Sequence, residues 1–292
     1  MKLLWILSIC QLASTVVFGQ GSRPLLHSSQ ALAKELGDPQ LVLLHVGKTE
    51  EYAAGHIAGA RFLTLQDVSL PAEPGGKGLT LELPPPDQLR AKFAALGVSD
   101  DSHVVLYTGI DTTFQTMTRV VFTLQYLGLG SRTSVLNGGL KAWKDAGKPV
   151  ETALPEIKPG KLSAVAPQDL VVDAAFVQSV SQRSRHKLVD ARTANFYNGS
   201  EAAQGKNGHI PGAVNIPYSS LLDANGLMDE GRVRSAFQNA GIQPGDTVVA
   251  YCHIGQQATA VILGARLLGN PVKLYDGSFQ DWAVNNRGAV EK

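Results

Sequence analysis

Apolar positions along the chain fall into two alternating kinds of run. Leu41 to Val46, Val104 to Tyr107, Lys187 to Val189 and Thr247 to Tyr251 are short, rich in β-branched residues and bounded by loop residues. That pattern predicts buried strands. Asp87 to Leu96, Thr116 to Leu127 and Gln257 to Leu268 space their apolar residues as one face of a helix requires, with Gly97, Gly128 and Gly269 where each would stop. Strands alternating with helices in this way predict an α/β fold with a parallel sheet covered on both faces.

The pattern also repeats. His56-Ile57-Ala58-Gly59-Ala60 returns as His209-Ile210-Pro211-Gly212-Ala213, and Val104-Val105-Leu106-Tyr107 returns as Val248-Val249-Ala250-Tyr251. Asn137-Gly138-Gly139 before Trp143 returns as Asp276-Gly277-Ser278 before Trp282. Three matches in the same order imply two domains of one ancestry. The stretch from Pro149 to Pro167 holds four prolines and few apolar anchors, a linker composition. The expected division is a leader over 1–19, a first domain over 20–148, a linker over 149–167 and a second domain over 168–292.

Composition narrows the class. The chain has 292 residues, 44% hydrophobic and 17% charged, which excludes disordered and collagen-like proteins. A net charge of +1 supplies no field for steering onto nucleic acid, so no nucleic-acid partner is expected. Lys2 followed by the apolar run Leu3 to Val17 and small residues near Gly19 predicts a cleaved export signal. Export to the periplasm or outside the cell, without stable membrane association after cleavage, is the expectation. Of the two cysteines, Cys10 would leave with that signal, and Cys252 would be the single thiol of the exported protein.

Cys252 stands just past the strand ending at Tyr251, and Cys252-His253-Ile254-Gly255-Gln256-Gln257 leads into a helix beginning near Ala258. Ligands of open parallel sheets bind outside the carboxyl ends of strands. The unpaired amides and dipole of a helix N-terminus favour an anion there, which predicts a lowered thiol pKa and a thiolate nucleophile. Gly255 lets the loop curl its amides inward. A small buried hydrophobe at a strand end is the bland alternative for Cys252.

The His-Ile-x-Gly-Ala motif, the strand-end cysteine with its six-residue loop and the glycine turn before a tryptophan together resemble the rhodanese family. The doubled arrangement, from about Leu25 to Trp282, is similar to the tandem-domain thiosulfate and 3-mercaptopyruvate sulfurtransferases. The resemblance implies two tandem rhodanese-like domains, a catalytic second copy and an inactive first copy. The residues agree with that division: Thr108 replaces the nucleophile, and Leu44-His45-Val46-Gly47 stands where the second copy has Val189-Asp190-Ala191-Arg192. The implied chemistry is a double displacement in which Cys252 takes a sulfane sulfur from a small donor and a thiophilic acceptor, cyanide or a thiol, removes it. Amides from Ile254 to Ala258 would hold the persulfide, with no cofactor and no metal.

Arg192, His253, Ile254, Gly255, Gln256, Gln257 and Ala258 are the expected substrate-binding residues, and Asp190 and His209 the structural support. Two roles fit Arg192: holding an anionic donor, or pairing with Asp190 to brace the loop. His253 either raises thiolate content when protonated or points to solvent. Phe114 and Lys48 follow strand ends of the first copy and either face the substrate or are ordinary core and surface residues. Family thiosulfate enzymes carry basic residues after the cysteine, and family mercaptopyruvate enzymes small neutral ones; His253 and Ile254 match neither. A further basic position appears here as Phe196. Thiosulfate is the expected donor, with 3-mercaptopyruvate sulfur transfer or a non-enzymatic sulfur carrier as alternatives. A cysteine phosphatase is excluded, because its loop must close on an arginine where this chain has Ala258. No metal-ligand spacing stands out among the seven histidines.

Overall fold

Five strands of the first half and five of the second build the same parallel sheet twice. The computed structural model describes residues 23–71 and 78–292, so the predicted leader over 1–19 lies outside the described residues. The first sheet contains β1 (Leu26–His27), β2 (Leu41–Val46), β3 (Arg61–Leu63), β4 (His103–Thr108) and β5 (Thr133–Leu136), in the order β1-β5-β4-β2-β3. The second contains β6 (Val171–Val172) and β7 (His186–Asp190), then, past the small β8 (Ala202–Ala203) and β9 (Lys206–Asn207) pair, β10 (Val214–Asn215), β11 (Thr247–Tyr251) and β12 (Val272–Tyr275). Its order, β6-β12-β11-β7-β10, is that of the first. Every pairing within the two sheets is parallel, so the central strands are covered on both faces and read as unbroken apolar runs.

Helices α1 (Ser29–Glu35), α2 (Thr49–Ala54), α3 (Pro86–Ala95), α4 (Phe114–Leu124) and α5 (Gly139–Asp145) serve the first sheet. Their counterparts are α6 (Ala174–Ser179), α7 (Ala194–Tyr197), α8 (Glu230–Asn239), α9 (Ala258–Leu267) and α10 (Ser278–Val284). Helices α4 and α9, each following the central strand of its own sheet, pack on one another, and a buried hydrogen bond joins Thr118 Oγ1 to Thr259 Oγ1 at 2.8 Å. One core therefore runs through both copies, from Leu44 and Leu106 to Val248 and Val261. None of the described helices is long and apolar enough to cross a membrane.

Each copy also lays a strap across the other. Leu83 N–H donates to Asp276 Oδ2 at 2.9 Å and Thr80 N–H to Gln280 Oε1 at 2.8 Å. In the opposite sense, Asn137, the counterpart of Asp276, exchanges two hydrogen bonds of 2.9 Å with the Met228 backbone. The proline-rich connection has no helix or strand after Glu151, yet it is tied down: Gly160 N–H donates to Ala94 O at 2.8 Å and Gln168 N–H to Tyr126 O at 2.8 Å.

Candidate active site

The loop after β11 is held from the side by the turn after β12. Cys252 N–H donates to Ser278 Oγ at 3.2 Å, and the Cys252 and His253 carbonyls accept from Phe279 and Gln280 N–H, both at 3.0 Å. Gly255 sits at φ +78°, and a Cβ there would lie 2.7 Å from the Asp276 carbonyl oxygen. Only glycine lets the loop turn that tightly against its neighbour. The result is a sulfur on which the amides of Ala258, Ile254 and Gln257 converge.

Cys252 is 1% exposed and belongs to the core that runs through both copies. Burial pushes its thiol up, and the three amides pull it down by less; the Asp190 carboxylate adds to the upward shift. The predicted lowering of the thiol pKa is thus overturned, because desolvation of the thiolate outweighs the helix N-terminus. The amides remain the groups that can stabilise a sulfur anion once it forms.

Asp190 ends β7 beside this loop and pairs with Arg192. Arg192 Nη2 lies 2.6 Å from Asp190 Oδ2, Nε 3.0 Å from both carboxylate oxygens, and Nη2 donates to Gly208 O at 2.8 Å. The guanidinium stacks over Phe279 at 3.9 Å, and both side chains of the pair are fully buried. Burial opposes the charge on Arg192, but the carboxylate outweighs it and holds the guanidinium above the usual arginine range. Of the two roles foreseen for Arg192, the pairing with Asp190 matches the brace; Nη1 is buried without a hydrogen-bond partner, so a donor contact is left open.

The histidine motif is structural in both copies. His209 Nδ1 contacts Tyr197 O at 2.8 Å and stacks on the Tyr197 ring at 3.8 Å, while Ile210 N–H donates to the Tyr251 hydroxyl at 3.0 Å. In the first copy His56 contacts Tyr52 O at 2.9 Å, stacks on Tyr52 at 3.9 Å, and Ile57 N–H donates to the Tyr107 hydroxyl at 3.0 Å. The motif clamps the crossover to the central strand whether or not a nucleophile follows.

The remaining loop residues divide. Ile254, Gln257 and Ala258 present amides to the sulfur, whereas Gln256 reaches away, its Nε2 donating to Thr116 Oγ1 of α4 at 2.9 Å. Gln256 is thus a tie between copies. His253 meets the Phe196 ring edge to face at 4.5 Å, and burial, followed by the nearby Arg192, pushes its pKa down. Its imidazole is neutral at neutral pH, so it adds no positive charge beside the thiol.

Two residues escaped the sequence reading. Ser278, fully buried at φ +53°, caps the Cys252 amide and donates to Tyr275 O at 2.9 Å. A non-glycine residue there is strained backbone at the nucleophile; the exchange of Gly139 for Ser278 between copies was the available signal. Arg119 of α4, fully buried, crosses from the first copy to form an ion pair with Asp276 Oδ1 at 2.5 Å and to donate to Leu81 O at 2.5 Å. It locks strap and turn together behind Gly255.

The first copy has the same loop turned to another purpose. Glu51, four residues beyond Gly47 as Phe196 is beyond Arg192, accepts from Thr112 Oγ1 at 2.6 Å, from Lys48 N–H at 3.1 Å and from the Asp111 amide. Burial alone would raise its pKa, but those three hydrogen bonds hold it below the usual glutamate range. A cavity of about 290 Å³ opens at Thr108, lined by Phe114 and roofed by Tyr218 and Leu222 of the second copy. Phe114 thus faces this cavity, and Lys48 is exposed.

The rhodanese-like domain model matches the chain twice, over residues 28–146 and 174–285. A thiosulfate sulfurtransferase of Azotobacter vinelandii is 30% identical over 272 residues, spanning 92% of this chain and 98% of that protein. A 3-mercaptopyruvate sulfurtransferase of Escherichia coli K12 is 28% identical over 274 residues, spanning 89% and 95%. Among solved structures, a 3-mercaptopyruvate sulfotransferase from Escherichia coli superposes with a TM-score of 0.76 at 27% identity, over 88% of this chain and 99% of that one. The anaerobic ergothioneine biosynthesis enzyme of Chlorobium limicola shares the fold, with a TM-score of 0.77 at 21% identity over 92% of this chain and 70% of its own.

Proposed function

This chain belongs to the rhodanese family and is a sulfurtransferase, and from that premise we propose that it carries sulfane sulfur on Cys252 with thiosulfate as donor. The observation that carries the reading is the convergence of the Ala258, Ile254 and Gln257 amides on a single sulfur. In the first step the Cys252 thiolate attacks the outer sulfur of the donor. A Cys252 S–S bond forms, the bond from that sulfur to the sulfonate breaks, and sulfite leaves with the bonding pair. In the second, a nucleophilic acceptor such as cyanide attacks the terminal sulfur, the persulfide bond breaks, and its pair returns to Cys252 as thiolate. The converging amides stabilise negative charge on sulfur throughout, and being preorganised they need no rearrangement as charge moves.

Phe196 and His253 favour a second donor. A neutral imidazole against a phenyl edge offers a doubly charged thiosulfate no fixed cation, whereas 3-mercaptopyruvate brings only one carboxylate. Assay with each donor, cyanide as acceptor, and intact-mass measurement of the protein after donor alone decides between them. Thiosulfate turnover, loss of turnover in Cys252→Ser and one added sulfur atom on the wild type are expected. Turnover undiminished in Cys252→Ser, or none with either donor, would overturn the reading; one added sulfur without turnover would favour a carrier. Export through the leader belongs to the same proposal, and the N-terminal sequence of protein recovered from cell fractions tests it.

A further inference from the structure

On the first copy, away from the Cys252 loop, three residues from separate elements meet around one carboxylate. His27 ends β1, Glu35 ends α1 and His103 begins β4. His27 Nε2 lies 3.1 Å from Glu35 Oε1, and His103 Nδ1 lies 3.4 Å from Glu35 Oε2. The three potential ligand atoms lie within 4.8 Å of one another. Zinc bound to nitrogen and oxygen at about 2.0–2.2 Å in a tetrahedron holds its ligands roughly 3.3 Å apart. The two measured separations lie near that value, each to its own oxygen of Glu35, so an ion between the imidazoles would face both carboxylate oxygens.

Hydrogen bonds fix the chemistry of the nitrogens. Ser134 Oγ donates to the Pro24 carbonyl at 2.8 Å, so toward His103 it can only accept, and it receives His103 Nε2–H at 3.0 Å. The proton of a neutral His103 is therefore on Nε2, and its Nδ1 lone pair points at a carboxylate oxygen. An acceptor facing an acceptor in a buried place demands a cation between them. Arg23 supplies one: its Nη1 lies 2.5 Å from His103 Nδ1 and 3.6 Å from Glu35 Oε2, and its Nη2 3.2 Å from Asp38 Oδ2. Arg23 is 36% exposed, whereas the His27 and His103 side chains are at most 1% exposed. The two imidazoles are enclosed, Glu35 is 30% exposed, and the cation is the most accessible member of the cluster. His103 also has the supported far nitrogen that metal-bound histidines need.

We propose that His27, Glu35 and His103 form a binding site for a divalent metal ion of the zinc class, with Arg23 as the exchangeable cation that the metal displaces. Two imidazoles and a carboxylate make a three-ligand set with one position left for water. The separations in sequence, 8 residues from His27 to Glu35 and far more to His103, hide the set from any spacing rule, which is why the sequence reading expected no metal.

The test uses the full chain, stripped of metal and carrying Cys10→Ser and Cys252→Ser so that no thiol can bind. Titration with Zn²⁺ against a chromophoric chelator is expected to show one ion per chain. Glu35→Gln is expected to weaken binding about tenfold or more, and Arg23→Ala to tighten it about tenfold by removing a competing charge. Co²⁺ is expected to give the visible absorption of a nitrogen and oxygen site without a thiolate band. Absence of stoichiometric Zn²⁺ binding in Arg23→Ala, or affinity unchanged by Glu35→Gln in a protein with wild-type circular dichroism, refutes the site.

Discussion

Replacing Arg192 with methionine separates bracing from donor binding. The substitution removes a guanidinium that makes contacts of 2.6 and 3.0 Å to Asp190 and 2.8 Å to Gly208 O, in a place with no solvent access. Asp190 is left as a buried, unpaired carboxylate beside the nucleophile. Breaking a buried pair on one side costs about 3–5 kcal/mol. For a chain this size each kcal/mol moves the melting temperature by roughly 2–4 °C, so a drop of about 6–20 °C is expected. The double variant Asp190→Asn/Arg192→Met removes both charges and should recover at least about 2 kcal/mol of that loss, a coupling that denaturant unfolding of all four proteins measures. Measured well below its melting temperature, Arg192→Met should keep a KM for thiosulfate within about threefold of wild type, since a neutralised, enclosed guanidinium contributes little to ground-state donor binding. Stability within about 1 kcal/mol of wild type together with a KM raised about tenfold would refute the brace and assign Arg192 to the donor.

Four further outcomes follow from the same geometry. Gly255→Ala forces a Cβ to within 2.7 Å of the Asp276 carbonyl at φ +78°; the backbone penalty is about 1–2 kcal/mol and the displaced amides should slow persulfide formation about 100-fold, read by stopped-flow loading, and wild-type loading would contradict it. Phe196→Arg puts a cation near the sulfur loop and should lower the KM for thiosulfate about tenfold, from roughly 1.4 kcal/mol of attraction between one cation and a dianion about 6 Å away in water, with less gain for 3-mercaptopyruvate. Thr108→Cys should acquire no sulfur by intact mass in a Cys252→Ser background, because the loop after β4 already spends its Asp111 amide on Glu51. Burial holds His45 at about 4 against 6.5 unfolded, so the unfolded chain binds the extra proton between those values. Stability from His45 is complete above pH 6.5 and falls as pH drops toward 4, by about 2 kcal/mol between pH 7 and 5; denaturation midpoints that do not steepen with acid relative to His45→Leu would count against it.

How much of this was legible along the chain depended on whether the deciding contacts are local. Strands Leu41–Val46 and Thr247–Tyr251 fall where the apolar runs place them, because a central parallel strand is apolar on both faces and loop residues end it. Edge strands such as Val171–Val172 and Val214–Asn215 have only two residues each, too few to show any period. The predicted helix Thr116 to Leu127 instead starts at Phe114 and ends at Leu124, followed by a wider turn through Gly128 at φ +90°. Cys252 and its amides lie within seven consecutive residues, so strand end, loop and helix start could be read together. Ser278 lies 26 residues from Cys252, and the Arg119 contact to the loop spans 136; neither has a local signature. The thiol pKa departs from the local expectation for the same reason: the helix N-terminus is local and visible, whereas the burial of the sulfur is set by a core that draws on both copies.

A copy without a nucleophile still supports the site, because its side chains tie down the loop and the turn beside Cys252. The two copies differ at a set of positions that contact one another, so the loss of chemistry in the first is coordinated rather than a single missing thiol. Asp190, Arg192 and Phe196 correspond to His45, Gly47 and Glu51; where the second copy buries a neutralised pair, the first brings a carboxylate to the loop amides that a sulfur anion would need. Ser278 corresponds to Gly139, where a Cβ would overlap the Thr108 hydroxyl. What the first copy keeps is the clamp, the strap and the helix that packs on α9. Through Arg119 and Leu83 it holds the Asp276 turn, that turn holds Gly255, and Gly255 sets the direction of the amides around Cys252. Sulfur chemistry in the second copy is thus positioned by a chain of contacts that begins in the first.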